Sequence, residues 1–119
     1  MQHRILRIKP AEAMSLVDAG KAVVLDVVAR ELRAHLRRQI AGAVRIEPEE
    51  FSARYQELLP RDKQIIAYCT CDDEITSADV ARDLRRHGYE AFALQGGYAA
   101  WEEAGYPTEP KKRPAVKVP

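Results

Sequence analysis

The stretch Gln64-Ile65-Ile66-Ala67-Tyr68-Cys69-Thr70-Cys71-Asp72-Asp73-Glu74-Ile75-Thr76 changes character twice. Residues 64–68 form an apolar run too short for a helix, as expected of a strand buried on both faces. A polar, acidic segment follows. From about Thr76 the residues Ala78, Ala81 and Leu84 mark one face of a helix that Gly88 ends, with Arg85, Arg86 and His87 beside the carbonyl end of its dipole. Cys69 therefore stands where a buried strand hands over to a helix.

The same alternation extends outward in both directions. Upstream, residues 4–8 predict a weak strand, and Pro10 opens a helix carrying Met14, Leu16 and Val17 up to Gly20. Ala22-Val23-Val24-Leu25 is a second buried strand, ending at Asp26. Residues 29–38 are polar and helix-prone, Ala43-Val44-Arg45-Ile46 reads as a short strand, and a helix from Pro48 carries Phe51, Tyr55, Leu58 and Leu59. Downstream, Ala91-Phe92-Ala93-Leu94 is a strand, and Gly96-Gly97 turns the chain into a last helix around Trp101, closed by Gly105. Strands separated by helices need crossover connections, so the sequence predicts an α/β fold: a mainly parallel central sheet with helices on both faces. In such sheets ligands bind beyond the carboxyl ends of the strands, the edge predicted to hold both Asp26 and Cys69.

A chain of 119 residues is the size of one domain, assigned to residues 1–108. Residues 109–119, rich in Pro and Lys, read as an exposed tail. With 46% hydrophobic and 31% charged residues the composition is that of a globular chain, not a disordered one. Nineteen basic against 18 acidic residues leave a net charge of +1, which gives no reason to expect nucleic acid. No apolar run approaches the roughly 20 residues that span a bilayer, and Met1-Gln2-His3-Arg4 is not followed by a secretory apolar segment. The expectation is a cytoplasmic protein without membrane insertion, its protein partner unspecified.

Cys69 and Cys71 are too close in sequence to staple distant segments, so any role is local. Only the thiolate is a good nucleophile, and it needs positive potential or oriented N–H groups. If residues 70–76 curl so that their amides point inward and a helix begins there, the Cys69 sulfur faces both. The bland alternative is a small buried hydrophobe. Asp72, Asp73 and Glu74 suit the N-terminal dipole of the next helix; pointing inward, they would oppose a bound sulfur anion by roughly 1 to 4 kcal/mol. Cys71 is either a packed bystander or a second thiol that attacks a persulfide on Cys69, releasing sulfide and leaving a disulfide. Two thiolates leave a zinc ion short of ligands, and His3, His35 and His87 are scattered, so neither metal nor cofactor is expected. Asp26 is expected to accept backbone hydrogen bonds in the turn after its strand, Trp101 to anchor the core, and Arg30 to lie on the surface within reach of the strand end.

Val24-Leu25-Asp26-Val27, Ile40-Ala41-Gly42-Ala43, Ile66-Ala67-Tyr68-Cys69, Thr76-Ser77-Ala78, Leu94-Gln95-Gly96-Gly97-Tyr98-Ala99-Ala100-Trp101 and Gly105-Tyr106-Pro107 resemble, in order and spacing, the landmarks of rhodanese-like domains. The resemblance spans nearly the whole chain. It implies that a cysteine, matching Cys69, accepts sulfane sulfur as a persulfide and passes it to a thiophilic acceptor. Thr70, Cys71, Asp72, Asp73, Glu74, Ile75 and Thr76 would form the substrate-binding loop.

Many members of that family carry an arginine two residues after the aspartate matching Asp26, and another at the far end of the active loop. Val28 and Thr76 occupy those places here. The loop resembles a sub-type reading Cys-x-Cys followed by an acidic stretch. Without a basic residue to clamp phosphoryl oxygens, it also argues against the phosphatases built on the same fold. The leading expectation is a sulfurtransferase that takes sulfur from thiosulfate, a polysulfide or a persulfide and gives it to a thiol or cyanide. The rival is a low-turnover binding, sulfur-carrier or thiol-sensing module.

Overall fold

The computed structural model describes residues 6–70 and 75–112. Five parallel strands form the central sheet: β1 (Arg7–Ile8), β2 (Ala22–Asp26), β4 (Val44–Arg45), β5 (Gln64–Tyr68) and β6 (Ala91–Leu94). Their spatial order is β1-β6-β5-β2-β4, which puts the apolar strands β6, β5 and β2 inside the sheet.

Alternation along each strand feeds two cores. Leu25, Ile65 and Ala67 face α3 (Phe51–Leu58) and α4 (Ile75–Arg86), meeting Phe51, Tyr55, Ala81 and Leu84. Val24, Ile66 and Tyr68 point the other way, toward α1 (Pro10–Asp18) and α5 (Gly97–Glu103), meeting Ala13, Tyr98 and Trp101. Helices therefore cover both faces, as the crossovers require. Pro10 sits in the first turn of α1, where its missing N–H costs nothing. Trp101 is buried and donates its indole N–H to the Pro107 carbonyl at 2.8 Å.

Two expectations need correction. The helix predicted over residues 29–38 shrinks to α2 (Arg30–Arg33), and Arg38 instead opens β3 (Arg38–Ile40). Its partner explains why: β3 pairs antiparallel with β7 (Thr108–Pro110), placing Gln39 opposite Glu109. Tertiary pairing overrides a modest helix propensity. The same pairing moves the expected tail boundary, because the first residues after 108 are tied to the body. Glu109 accepts hydrogen bonds from the Gln39 side chain at 2.9 Å and the Gly42 amide at 3.0 Å, and the Lys112 carbonyl accepts one from Arg33 at 2.8 Å. Desolvation works against ionising Glu109, yet the Gly42 amide, Lys112 and Gln39 outweigh it and hold the carboxyl below its ordinary range. Residues 113–119 of the predicted tail lie outside the described residues, as do residues 4 and 5 of the first predicted strand.

Candidate active site around Cys69

Cys69 is the first residue beyond β5, at the carboxyl edge of the sheet. Its position is set by backbone contacts on two sides. The preceding carbonyl, of Tyr68, accepts the Val27 amide at 3.1 Å, and its own carbonyl accepts the Tyr98 amide at 3.1 Å. Gly97, at φ +60°, passes so close that a Cβ there would lie 2.2 Å from the Cys69 oxygen. The double glycine expected to make a turn thus also lets α5 dock against the cysteine.

The sulfur is 3.4 Å from the hydroxyl of Ser77 in α4, and both residues are buried, Cys69 with 2% of its surface exposed. That contact joins the residue after β5 to the first turns of the following helix. Thr70 is partly buried, its Oγ1 shielded from solvent and without a hydrogen-bond partner among the described residues. Ile75 begins α4, and Thr76 lies on a groove of about 400 Å³ between α3 and α4 that also touches Pro48, Phe51, Ser52 and Asp79. Cys71, Asp72, Asp73 and Glu74 lie outside the described residues, and with them most of the amide nest expected over residues 70–76.

Asp26 lies in register with Tyr68 at the same sheet edge. It accepts the Val28 amide at 3.0 Å, the turn role expected of it. It also does something the sequence did not announce: Arg33 Nε reaches it at 2.9 Å and Arg45 Nη1 at 3.1 Å, and all three side chains are almost fully buried. Arg45 Nη1 donates to the Val28 carbonyl as well, while Arg33 Nη2 donates to Gln39 at 2.9 Å. The available signal was a basic residue inside the apolar run of residues 43–46. Arg30, the surface candidate, pairs with Glu47 at 3.2 Å and is largely exposed. Val28, two residues after Asp26, is fully buried in the core beside α1 and α5. Tyr68 is sealed beneath this cluster, its hydroxyl accepting the Ile40 amide at 3.3 Å; burial first, and the Asp26 charge second, push its ionisation well above the ordinary phenol range.

Among the described residues no group of three or more His, Cys, Asp or Glu side chains converges in a way that would hold a metal ion. Nor is any of the described helices long and apolar enough to cross a membrane.

Comparison with known proteins agrees with this geometry. The chain is 33% identical over 82 residues to the tRNA sulfurtransferase of Desulfurococcus amylolyticus, covering 69% of this chain and 15% of that protein. It is 31% identical over 99 residues to an HTH-type transcriptional regulator of Mycobacterium tuberculosis, covering 83% of this chain and 42% of that one. It thus spans less than half the length of either curated relative. A full-length protein from Lactobacillus plantarum superposes with a TM-score of 0.79 at 25% identity, over 89% of this chain and 88% of the other. Residues 9–104, which run from the start of α1 through α5, match the model of the rhodanese-like domain, and on that extent together with the five-stranded parallel sheet the chain belongs to the rhodanese-like domain family.

Proposed function

We propose that the chain is a sulfurtransferase in which Cys69 carries sulfane sulfur as a persulfide. The observation that carries the reading is the placement of Cys69: directly after the central strand β5, its carbonyl fixed by α5 and its sulfur against Ser77 of α4. A nucleophile held from both sides of the sheet meets its donor in one orientation, which is how positioning lowers a barrier. With thiosulfate as donor, the Cys69 thiolate attacks the outer sulfur; the S–S bond of thiosulfate breaks, sulfite departs with the bonding pair, and Cys69 retains a persulfide. Cyanide or a thiolate acceptor then attacks the terminal sulfur and the Cys69 thiolate leaves. The exchange is balanced and uses no dissociable cofactor. The Ser77 hydroxyl donates to the sulfur while it is anionic. The amides of residues 70–76 hold the terminal sulfur, and the order Cys69-Thr70-Cys71 with acidic residues after it supports assignment to the Cys-x-Cys sub-type.

A second reading follows from burial. With Cys69 2% exposed, a donor reaches the sulfur only when the atoms over it move aside. That favours a slow sulfur-carrier or thiol-sensing module, a role compatible with the regulator among the relatives. Incubation with thiosulfate, a polysulfide and glutathione persulfide in turn, followed by intact mass measurement, separates the two. The expected result is one added sulfur, removed by cyanide with release of thiocyanate over many turnovers and abolished by Cys69→Ser. An added sulfur that turns over once, or none from any donor, supports the module instead.

A further inference from the structure

We propose that the pocket over Arg45 is a binding site for a small oxyanion, either a carboxylate or a tetrahedral sulfur or phosphorus oxyanion, separate from Cys69. The guanidinium of Arg45, with 2% of its side chain exposed, is saturated on one side only. Nη1 serves Asp26 and the Val28 carbonyl, whereas Nε and Nη2 are both buried without a hydrogen-bond partner among the described residues. These two donors lie on the same edge of the planar group, the edge that grips two oxygens of one anion side by side. Buried charged donors left without a hydrogen bond are costly, so their persistence needs a reason.

The surroundings supply one. A pocket of about 210 Å³ is lined by Arg30, Arg33, Ala34, Arg45, Glu47 and Lys111, four cationic side chains against a single carboxylate. Asp26 behind them is shared between Arg33 and Arg45 and so offsets one charge of two. Glu47 stands at that edge: its Oε1 is 3.3 Å from Arg45 Nη2 and 3.2 Å from Arg30 Nε, close enough for an ion pair, but it takes neither Nε nor Nη2 of Arg45 in a hydrogen bond. The carboxylate acts as a poorly seated occupant. An oxyanion entering from the rim displaces it, takes Nε and Nη2 together, and is closed in by Arg30 and by Lys111, whose Nζ is held at the Arg33 carbonyl at 3.1 Å.

The site is separate from the thiol in space. Asp26 and Arg45 are in register on neighbouring parallel strands and share the face of Val24 and Tyr68, covered by α1 and α5. The Cys69 sulfur instead contacts α4, on the opposite face.

The test is calorimetric titration of the full chain with sodium sulfate, sodium phosphate and sodium acetate at constant ionic strength. One-to-one saturable binding of at least one of them is expected, and which one identifies the chemistry as tetrahedral or carboxylate. Glu47→Gln, which removes the competing charge, should tighten it about tenfold, and Arg30→Ala with Lys111→Ala should weaken it by a similar factor. Both of those cations lie at the rim, so the double variant spares the buried cluster, whereas Arg45→Lys disturbs it. Cys69→Ser should leave the affinity unchanged while abolishing the persulfide, so this site and the sulfur chemistry fail independently. No saturable heat from any of the three anions in Glu47→Gln, or an affinity indifferent to Glu47, Arg30 and Lys111, overturns the proposal.

Discussion

Gly97 and Cys69 are in such close contact that no other residue fits at position 97: an added Cβ would sit 2.2 Å from the Cys69 carbonyl oxygen, at a backbone angle of φ +60°. Gly97→Ala therefore has to push α5 off the cysteine. Its expected cost is roughly 2 to 4 kcal/mol, the left-handed penalty plus a backbone clash. Gly20→Ala is the control, since Gly20 has φ +74° but nothing within 4 Å of the added atom. It should cost only about 1 kcal/mol. Urea unfolding of the two variants checks the difference; equal losses would mean that the contact at Cys69 is soft. In Gly97→Ala the rate of sulfur uptake should fall as well.

Asp26 lies between two buried guanidinium groups and is ion-paired with both, so the three must be lost or kept together. Asp26→Ala strands Arg33 and Arg45 and also orphans the Val28 amide. The expected destabilisation is about 3 to 5 kcal/mol, most of it from uncompensated buried charge. A double variant that also replaces Arg33 and Arg45 with methionine should recover much of that loss. Denaturant midpoints of the single and multiple variants decide the point, and an Asp26→Ala protein within 1 kcal/mol of wild type would show that water reaches the cluster.

Ser77 makes a narrower prediction, because its hydroxyl lies against the Cys69 sulfur. Ser77→Ala removes a hydroxyl 3.4 Å from that atom and leaves the volume nearly unchanged. Persulfide formation should slow about tenfold, the equivalent of one hydrogen bond to a charged group. Stopped-time mass spectrometry measures it. Ser77→Thr, which restores the hydroxyl, should recover most of the rate if its methyl is accommodated, whereas a merely structural serine would give the same rate in all three proteins.

Tyr68 couples stability to alkaline pH. Its ionisation is raised in the folded protein by burial and by Asp26, while in the unfolded chain the phenol titrates near its ordinary value of about 10. Below that value both states keep the proton and the pH has no effect through this group. Above it the unfolded state loses the proton first, so stability falls as pH rises, by up to about 1.4 kcal/mol per unit. Tyr68→Phe should flatten that part of the profile while costing about 1 kcal/mol at neutral pH, from the lost acceptor for Ile40. Chemical denaturation between pH 8 and pH 11 tests both.

The order of strands and helices was legible because β2 and β5 are buried on both faces and Gly20, Gly88 and Gly105 end their helices where the residue pattern stops. Residues 29–38 misled because nothing local marks Gln39 and Ile40 as a strand; their partner is β7, some 70 residues later. The place of Cys69 after a strand was equally visible, whereas its contact with Ser77 was not, because nothing local aims that side chain at the sulfur. Arg33 and Arg45 were not found for a physical reason. Arg33 stands in a polar segment and looks like surface, Arg45 interrupts an apolar run, and only the fold reveals that the two converge on one buried acid from segments 12 residues apart. The chemistry of residues 71–74 stays with the sequence reading.

The link from Arg33 to the Lys112 carbonyl bears on the order of events during synthesis. Asp26, Arg33, Gln39 and Arg45 leave the ribosome early, yet Gln39 and Arg33 receive their last partners from residues 109–112. Loop closure over that span pays its entropy before any contact rewards it. Until those residues emerge, a nascent chain holds two partly satisfied guanidinium groups on an unfinished sheet edge, and ribosome-bound intermediates halted before Thr108 should be protease-sensitive at α2 and β3 while β5 and β6 are already protected.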